Sequence, residues 1–496
     1  MKNRDYASHR AALLRQRAHN NNHPKAIAAI KTNEGQIKRL FVLTLLATLV
    51  LVASWTMARA QEIQKVVSAS GIEAWLVEDH TVPIIAIDFS FAGGVSQDED
   101  GKEGGVTMLT SLMDEGADDL SSEEFLTALE ENAIKMKFDA GRDRFFGSLR
   151  TLTPNKALAF ELLAKAIQSP HFEASSVERM RAQWIASVRR AEKDPNTILA
   201  RTFREAAYPG HPYSRPSNGT ATSLAAVTQA DLKHLHKAIF TRDGLTIGIV
   251  GAIDAESVKT LLDQVFAPLP AKGDLKPVED VKIARIGEIH VPFDAPQTSI
   301  RFGAPGIDRQ DDDFYAAYLV NHILGGGSFS SRLYNEIREK RGLAYGVYSY
   351  LTSSDHAALF AGGMATRSEN NEQAITLVKQ EIARLGKEGP TQEELDATKK
   401  YLIGSYPLRF DSSSKISRQL VALQNEGLNI DYFEKRNSYI EAVTLEDTKR
   451  VAARLLDPSK LLLVTVGKQM KNASLAPKAP VSEDALAPSK TKPQTN

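Results

Sequence analysis

Apolar residues recur at helical spacing along GGVTMLTSLMDEGA, Gly104 to Ala117, where Val106, Leu109, Leu112 and Met113 share one face and Gly116 offers a left-handed stop. The pattern predicts a buried helix reaching Gly116, with three hydroxyl residues, Thr107, Thr110 and Ser111, between its apolar positions. Upstream, WLVEDHTVPIIAIDFSFAGGV reads as strands, followed by the acidic loop SQDEDGKEGG. Downstream, DDLSSEEFLTALEENA opens with a capping box formed by Ser121 and Glu124. Long amphipathic helices occupy SSVERMRAQWIASVRRAEKD and TQEELDATKKYLIGSYPLRF, and a second strand run lies in IHVPFDAPQTSIRFGAPGI.

The same order of elements occurs twice. AVTQADLKHLHKAIFTRDGLTIGIVG, Ala226 to Gly251, aligns without gaps on AVTLEDTKRVAARLLDPSKLLLVTVG, Ala442 to Gly467, with eight identities in 26 positions. Each copy reads as a Thr-capped helix, a turn and an apolar strand ending at glycine. Helices grouped between runs of alternating strands predict an α+β fold of two equivalent domains, each an antiparallel sheet with helices on one face. The first domain is expected over 61–267 and the second over 285–468. The joint at 268–284 falls largely within FAPLPAKGDLKPVED, whose prolines and charges suggest an exposed linker. The stretch 469–496, rich in Pro, Ala, Ser and Lys, is expected to be disordered.

Composition narrows the chemistry. With 496 residues, 42% hydrophobic and 25% charged, the chain can bury a large core. It has no cysteine, which excludes disulfides, thiolate metal sites and a cysteine nucleophile. The formal net charge of zero hides a split: residues 1–60 carry 10 Lys/Arg against 2 Asp/Glu, leaving 51 basic and 59 acidic residues elsewhere. A mildly acidic body argues against nucleic-acid binding, which needs a basic face.

Residues 1–60 form a leader. After Lys38 and Arg39 comes an uncharged apolar core, 40–57, then Ala58-Arg59-Ala60 before Gln61. A basic flank, an apolar core and an A-x-A site describe a secretory signal peptide cleaved after Ala60. The alternative is an uncleaved membrane anchor through 40–57, since about 18 apolar residues just span a bilayer. Residues 1–37 are either an overlong start or a cytoplasmic extension. On either reading the body is exported, to a periplasm or beyond, and meets a membrane only if the leader stays on.

Two stretches carry candidate chemistry. LGGGSFSSRLYNEIREKRGLAYGVYSYL, Leu324 to Leu351, holds a glycine run, a Ser-capped helix from about Ser331, a Gly342 stop and an alternating strand. No Gly-Lys-Ser/Thr comes after the glycines, so a phosphate loop is weakly supported. The other is the hydroxyl-bearing helix. The eleven histidines include no i, i+4 pair with an adjacent glutamate, and His234 and His236 point to different faces of one helix.

In layout and in the Leu324–Leu351 stretch, the chain resembles the insulinase and pitrilysin family of zinc peptidases, which includes the mitochondrial processing peptidase. In that family the equivalent of the opening helix carries His-x-x-Glu-His, two histidines for zinc and a glutamate that activates water. The resemblance puts Thr107 and Ser111 at the histidine positions and Thr110 at the glutamate, and neutral hydroxyls are poor zinc ligands and no general base. The third ligand of the family, a glutamate, is expected near Ser187 to Arg190, where no carboxylate occurs before Glu192. The resemblance also implies roles for Arg338 and Tyr345, the arginine and tyrosine that in the family contact substrate near the scissile carbonyl from the opposing domain. Gly325, Gly326, Gly327 and Ser328 are expected at a substrate cleft, as a flexible or close-approach loop.

These features lead to an expected function. The chain is read as the zinc-less half of an exported heterodimeric peptidase, with no cofactor of its own, zinc in a homologous partner chain, and extended peptides as substrates. An inactive peptide-binding or assembly protein of the same fold is the alternative. An active peptidase with unorthodox ligands is a minor third reading.

Overall fold

The computed structural model describes residues 62–468. The leader 1–60, its apolar core 40–57 and the 469–496 tail lie outside the described residues. Among the described residues, no helix is long and apolar enough to cross a membrane.

Strands β1 (Ile63–Val67), β2 (Glu73–Glu78), β3 (Ile84–Ala92), β4 (Lys135–Ala140), β5 (Arg144–Leu152) and β6 (Thr246–Gly251) form a six-stranded sheet in the order β1-β2-β6-β3-β5-β4. Strands β7 (Gly287–Pro292), β8 (Gln297–Pro305), β9 (Ala344–Ser354), β10 (Ala357–Arg367) and β11 (Leu462–Gly467) form a five-stranded sheet in the order β7-β11-β8-β10-β9. Apart from the extra edge strand β1, the orders coincide element for element. The repeated segments explain this. Thr228 and Thr444 each cap a helix through a box closed by Asp231 and Asp447, and the Gln229–Ile239 and Leu445–Leu455 helices then feed β6 and β11.

The α+β class with two equivalent halves matches the sequence pattern, and the sheets add one detail. They are mixed, because β6 pairs parallel with β2 and β11 parallel with β7, while all other pairs are antiparallel. The last strand of each half returns after a long, largely helical excursion, a crossover that delivers it parallel to β2 in the first half and to β7 in the second.

Helices of each half cover one face of its sheet, as expected, and the other face is covered from the opposite half. Ile416 and Leu420 of the Ser413–Asn425 helix pack on Trp75, Val77 and Val250 of the first sheet. Ser417 Oγ donates to Asp88, and Asn425 Oδ1 accepts from Ser90 Oγ at 3.0 Å and Thr246 Oγ1 at 2.8 Å. In return, Leu199 and Phe203 of the Pro195–Ala207 helix pack on Leu462, Val464 and Val466 of the second sheet. Glycine makes both approaches possible. A Cβ on Gly248 would stand 2.5 Å from Ser417 O, and one on Gly303 would stand 2.7 Å from the Phe203 ring.

The 268–284 segment has no helix or strand and is largely exposed, yet its backbone is pinned. Lys276 N–H donates to Gln97 Oε1 at 2.7 Å, Gln97 Nε2 returns a bond to Lys276 O at 3.1 Å, and Ala284 N–H reaches Ala207 O at 2.8 Å.

Candidate functional site

The opening helix spans Gly105–Thr110, and Val106, Leu109, Leu112 and Met113 are fully buried on the expected face. Asp98, from the acidic loop, accepts from Gly104 N–H and Val106 N–H, both at 2.8 Å, and so closes the helix start. Burial pushes the Asp98 carboxyl up to about 7, against these two bonds, which favour the charged form. Gly116 has φ +96°, the left-handed conformation expected of it, but the helix stops earlier than predicted, at Thr110. The cause is local. Thr110 Oγ1 donates to Thr107 O at 2.7 Å, the carbonyl that Ser111 N–H needs to continue the helix, and Ser111 N–H turns to Met108 O at 3.2 Å.

All three hydroxyls are engaged inside the fold. Thr107 Oγ1 donates to Ser217 O at 2.7 Å, Thr110 bonds back to Thr107, and Ser111 Oγ accepts from Trp184 Nε1 at 3.1 Å. Trp184 lies on the Ala174–Ala191 helix, one turn before the Ser187–Arg190 stretch where a third ligand is expected. Two further carboxylates lie just past the helix end. Glu115 is clamped by Arg179 and by Ser122 Oγ at 2.6 Å, and burial pushes Asp114 up to about 6, with the Glu115 charge adding to the shift. Among the described residues no group of three His, Asp or Glu side chains is placed to hold a metal ion. Hydroxyls, an indole and an Arg-paired carboxylate are not a zinc donor set. His234 and His236 diverge as expected: His234 is exposed, whereas the half-buried His236 bonds Ile167 O at 2.8 Å and stacks on Phe240.

The second half arranges its candidates differently. Ser331 caps the short Arg332–Tyr334 helix, which widens into a π turn over Asn335–Glu339, and Gly342 at φ +61° reverses the chain into β9. This brings Arg338 against Tyr345. The guanidinium carbon lies 4.7 Å from the Tyr345 ring centre and 4.8 Å from that of Tyr334, a cation–π sandwich. Nearby Lys340 and Arg341 are both held by Glu336. Arg338 has no carboxylate partner among the described residues, and Tyr345 is 87% exposed. The Tyr345 ring therefore stands in solvent, beside a half-buried guanidinium that no carboxylate neutralises.

The glycine run is helical rather than a loop. His322–Gly326 forms another π turn that continues the Phe314–Asn321 helix. Close approach is its role. A Cβ on Gly325 would meet Ser349 Oγ at 2.5 Å, and one on Gly327 would meet His322 O at 2.8 Å. Ser328, at φ +49°, holds a left-handed conformation without being glycine. Gly326, Gly327 and Ser328 wall a cleft of about 560 Å³ together with Tyr318, His322 and Tyr401. Gly325 lies beneath it, and Arg338 and Tyr345 stand outside its wall. The fold thus separates two sets that lie side by side in the sequence: a glycine-walled cleft and an exposed Arg–Tyr pair.

One polar site escapes sequence reading altogether. Arg309, Tyr406, Arg409 and Arg436 converge on a small pocket that adjoins the cleft. They are scattered over more than a hundred positions, and no local motif joins them.

Residues 226–402 match the family description "Peptidase M16 inactive domain". The chain is 26% identical over 375 residues to the "Non-peptidase homolog YmxG" of Helicobacter pylori, covering 75% of this chain and 86% of that one. It is 30% identical over 310 residues to an "uncharacterized zinc protease" of Mycobacterium bovis, covering 60% of this chain and 69% of the relative. Among solved structures, the peptidase M16 inactive domain from Pseudomonas fluorescens superposes with a TM-score of 0.78 at 30% identity, covering 84% of this chain and all of that one.

Proposed function

Because this chain belongs to the peptidase M16 inactive-domain family, we propose that it serves as the zinc-less half of an exported two-chain peptidase. A homologous chain supplies the metal and the water-activating glutamate. This chain supplies Arg338, Tyr345 and part of the wall around an extended peptide. One observation carries the reading: Arg338 and Tyr345 are held together at 4.7 Å with no carboxylate partner on the guanidinium among the described residues, while the hydroxyls at the metal posts are tied into the fold.

The chemistry asked of the pair is modest. A guanidinium and a phenol that donate to the scissile carbonyl oxygen stabilise the negative charge developing there, and a preorganised pair needs little rearrangement to do so. Tyr334 and Tyr345 restrict the guanidinium from both sides, which limits the side-chain freedom lost on binding. The leader motif supports export, with anchoring through residues 40–57 as the variant of the same proposal.

The test is co-purification from the native host, followed by metal analysis of the complex and of each chain. The expected result is one zinc per complex, carried by the other chain, and chelator-sensitive peptide hydrolysis only when both are present. Chelator-sensitive hydrolysis by a homogeneous preparation of this chain alone overturns the proposal. A second reading, a non-catalytic peptide-binding or assembly subunit, is favoured by the mutual packing of Arg338 and Tyr345, which needs no substrate to be satisfied. Recovery of the chain in complexes that lack any zinc-bearing homologue selects that reading.

A further inference from the structure

The pocket of about 160 Å³ beside the glycine-walled cleft contains three arginines and a single carboxylate, Glu426. Glu426 is already engaged, since Arg309 Nε donates to its Oε2 at 2.8 Å while the guanidinium lies 4.2 Å from the Phe314 ring centre. The other two arginines have no acidic partner among the described residues. Arg436 is only 4% exposed, donates to Leu402 O and Asn437 Oδ1, both at 3.2 Å, and lies 4.0 Å over the Tyr406 ring. Arg409, at the end of the Tyr406–Arg409 turn, is exposed and unpaired. Tyr406 is itself 7% exposed, and its buried hydroxyl has no hydrogen-bond partner.

A buried guanidinium with only neutral partners and a buried hydroxyl with none are both costly to leave unmatched. An anion answers both at once, because it accepts from Arg409, Arg436 and the Tyr406 hydroxyl together. A cavity of about 150 Å³ takes a benzene ring, so the pocket's 160 Å³ admits a carboxylate together with the carbons that bear it. The adjoining cleft of about 560 Å³ shares Phe314, Tyr318 and Arg409 with the pocket and adds Tyr401, Leu402 and Leu408, an apolar and aromatic lining suited to the rest of a peptide. We infer that this pocket binds a carboxylate borne by a peptide, with the neighbouring residues of that peptide lying in the cleft.

The inference rests on the reading that this fold takes extended peptides, but it concerns binding by the single chain and needs no zinc partner. Two carboxylates share the required chemistry: the C-terminus of a peptide and an acidic side chain within it. The full chain is titrated calorimetrically with a short aromatic peptide in three forms: free at its C-terminus, amidated with an internal glutamate, and amidated with glutamine in place of that glutamate. At least one acid-bearing form is expected to bind tenfold or more tighter than the neutral form, and the tighter of the two identifies the source of the carboxylate. Arg409→Ala, at an exposed position, is expected to remove that advantage of the acid-bearing form over the neutral one. Tyr406→Phe is expected to reduce it several-fold without lowering the melting temperature. Equal binding of all three forms, an undiminished advantage in Arg409→Ala, or inorganic phosphate binding as tightly as the best peptide overturns the assignment. The activity of the two-chain complex is a separate readout, so loss of one result leaves the other standing.

Discussion

Trp184 donates its indole N–H to Ser111 Oγ at 3.1 Å, so an aromatic ring stands against the opening helix on the side from which a third metal ligand would approach. Ser111 is thereby absorbed into the packing against the Ala174–Ala191 helix, with a hydroxyl and an indole satisfying one another.

Restoring the motif on one helix is consequently expected to fail. The triple substitution Thr107→His, Thr110→Glu and Ser111→His strips the bonds to Ser217 and Trp184 and still lacks a third ligand. The expected outcome is a lowered melting temperature and no stoichiometric zinc after dialysis, measured by elemental analysis. One tightly bound zinc per chain would show that a ligand set survives in the fold.

Arg338 invites a kinetic test in the proposed two-chain peptidase. Losing one preorganised donor to a developing oxyanion typically costs about 100-fold or more in turnover, and a donor only half-buried should sit at or below that low end, roughly 10- to 100-fold. Arg338→Ala is expected to lower kcat by this much while leaving association of the two chains unchanged, as measured by sedimentation. Arg338→Lys should recover only part of the loss, because it keeps the charge but not the planar stack on Tyr345. Unchanged turnover removes the assigned role.

Asp98 makes stability depend on pH. Its carboxyl is raised by burial from 3.8 to about 7 in the folded chain, so the folded state holds a proton that the unfolded state has released. This group's contribution is therefore most favourable below about pH 4, falls as pH rises through the window between about 4 and 7, and levels off above it. One such proton corresponds to a slope of at most about 1.4 kcal/mol per pH unit. Asp98→Asn should flatten the difference in urea midpoint across that window. Parallel profiles for the two proteins would contradict the shift.

The exchanged helices predict that the two halves unfold together. Leu420 is fully buried on Trp75 and Val250 of the other half's sheet, so Leu420→Ala should cost about 2–5 kcal/mol. Guanidinium unfolding followed both by tryptophan fluorescence and by far-UV circular dichroism should remain one coincident transition at a lower midpoint, because Trp75 and Trp184 report on the first half while dichroism reports on both and Leu420 belongs to the second. Two separated transitions would show that the halves are independently stable.

Local interactions are legible in the chain. The Ser121–Glu124 capping box, the Thr-capped helices at 228 and 444 and the strands after them depend on neighbours within a few residues, and the sequence writes them out directly. The buried face of the opening helix is legible for the same reason. Its early end at Thr110 is not, because it turns on a contest between a side-chain hydroxyl and a backbone N–H for one carbonyl. The glycine run reads as a loop by residue type, although its close contacts with Ser349 and His322 belong to a widened helix.

By itself, then, the sequence determined the duplicated α+β pattern, the caps and the three hydroxyls between the apolar positions of the opening helix, since each depends on residue type and short spacing. Tertiary structure alone decided that each half roofs its sheet with a helix from the other, that Trp184 meets Ser111, and that Arg309, Arg409 and Arg436 gather around Tyr406. Those meetings join residues tens to hundreds of positions apart. They are selected by the burial of apolar faces across the whole chain, and no local spacing encodes them.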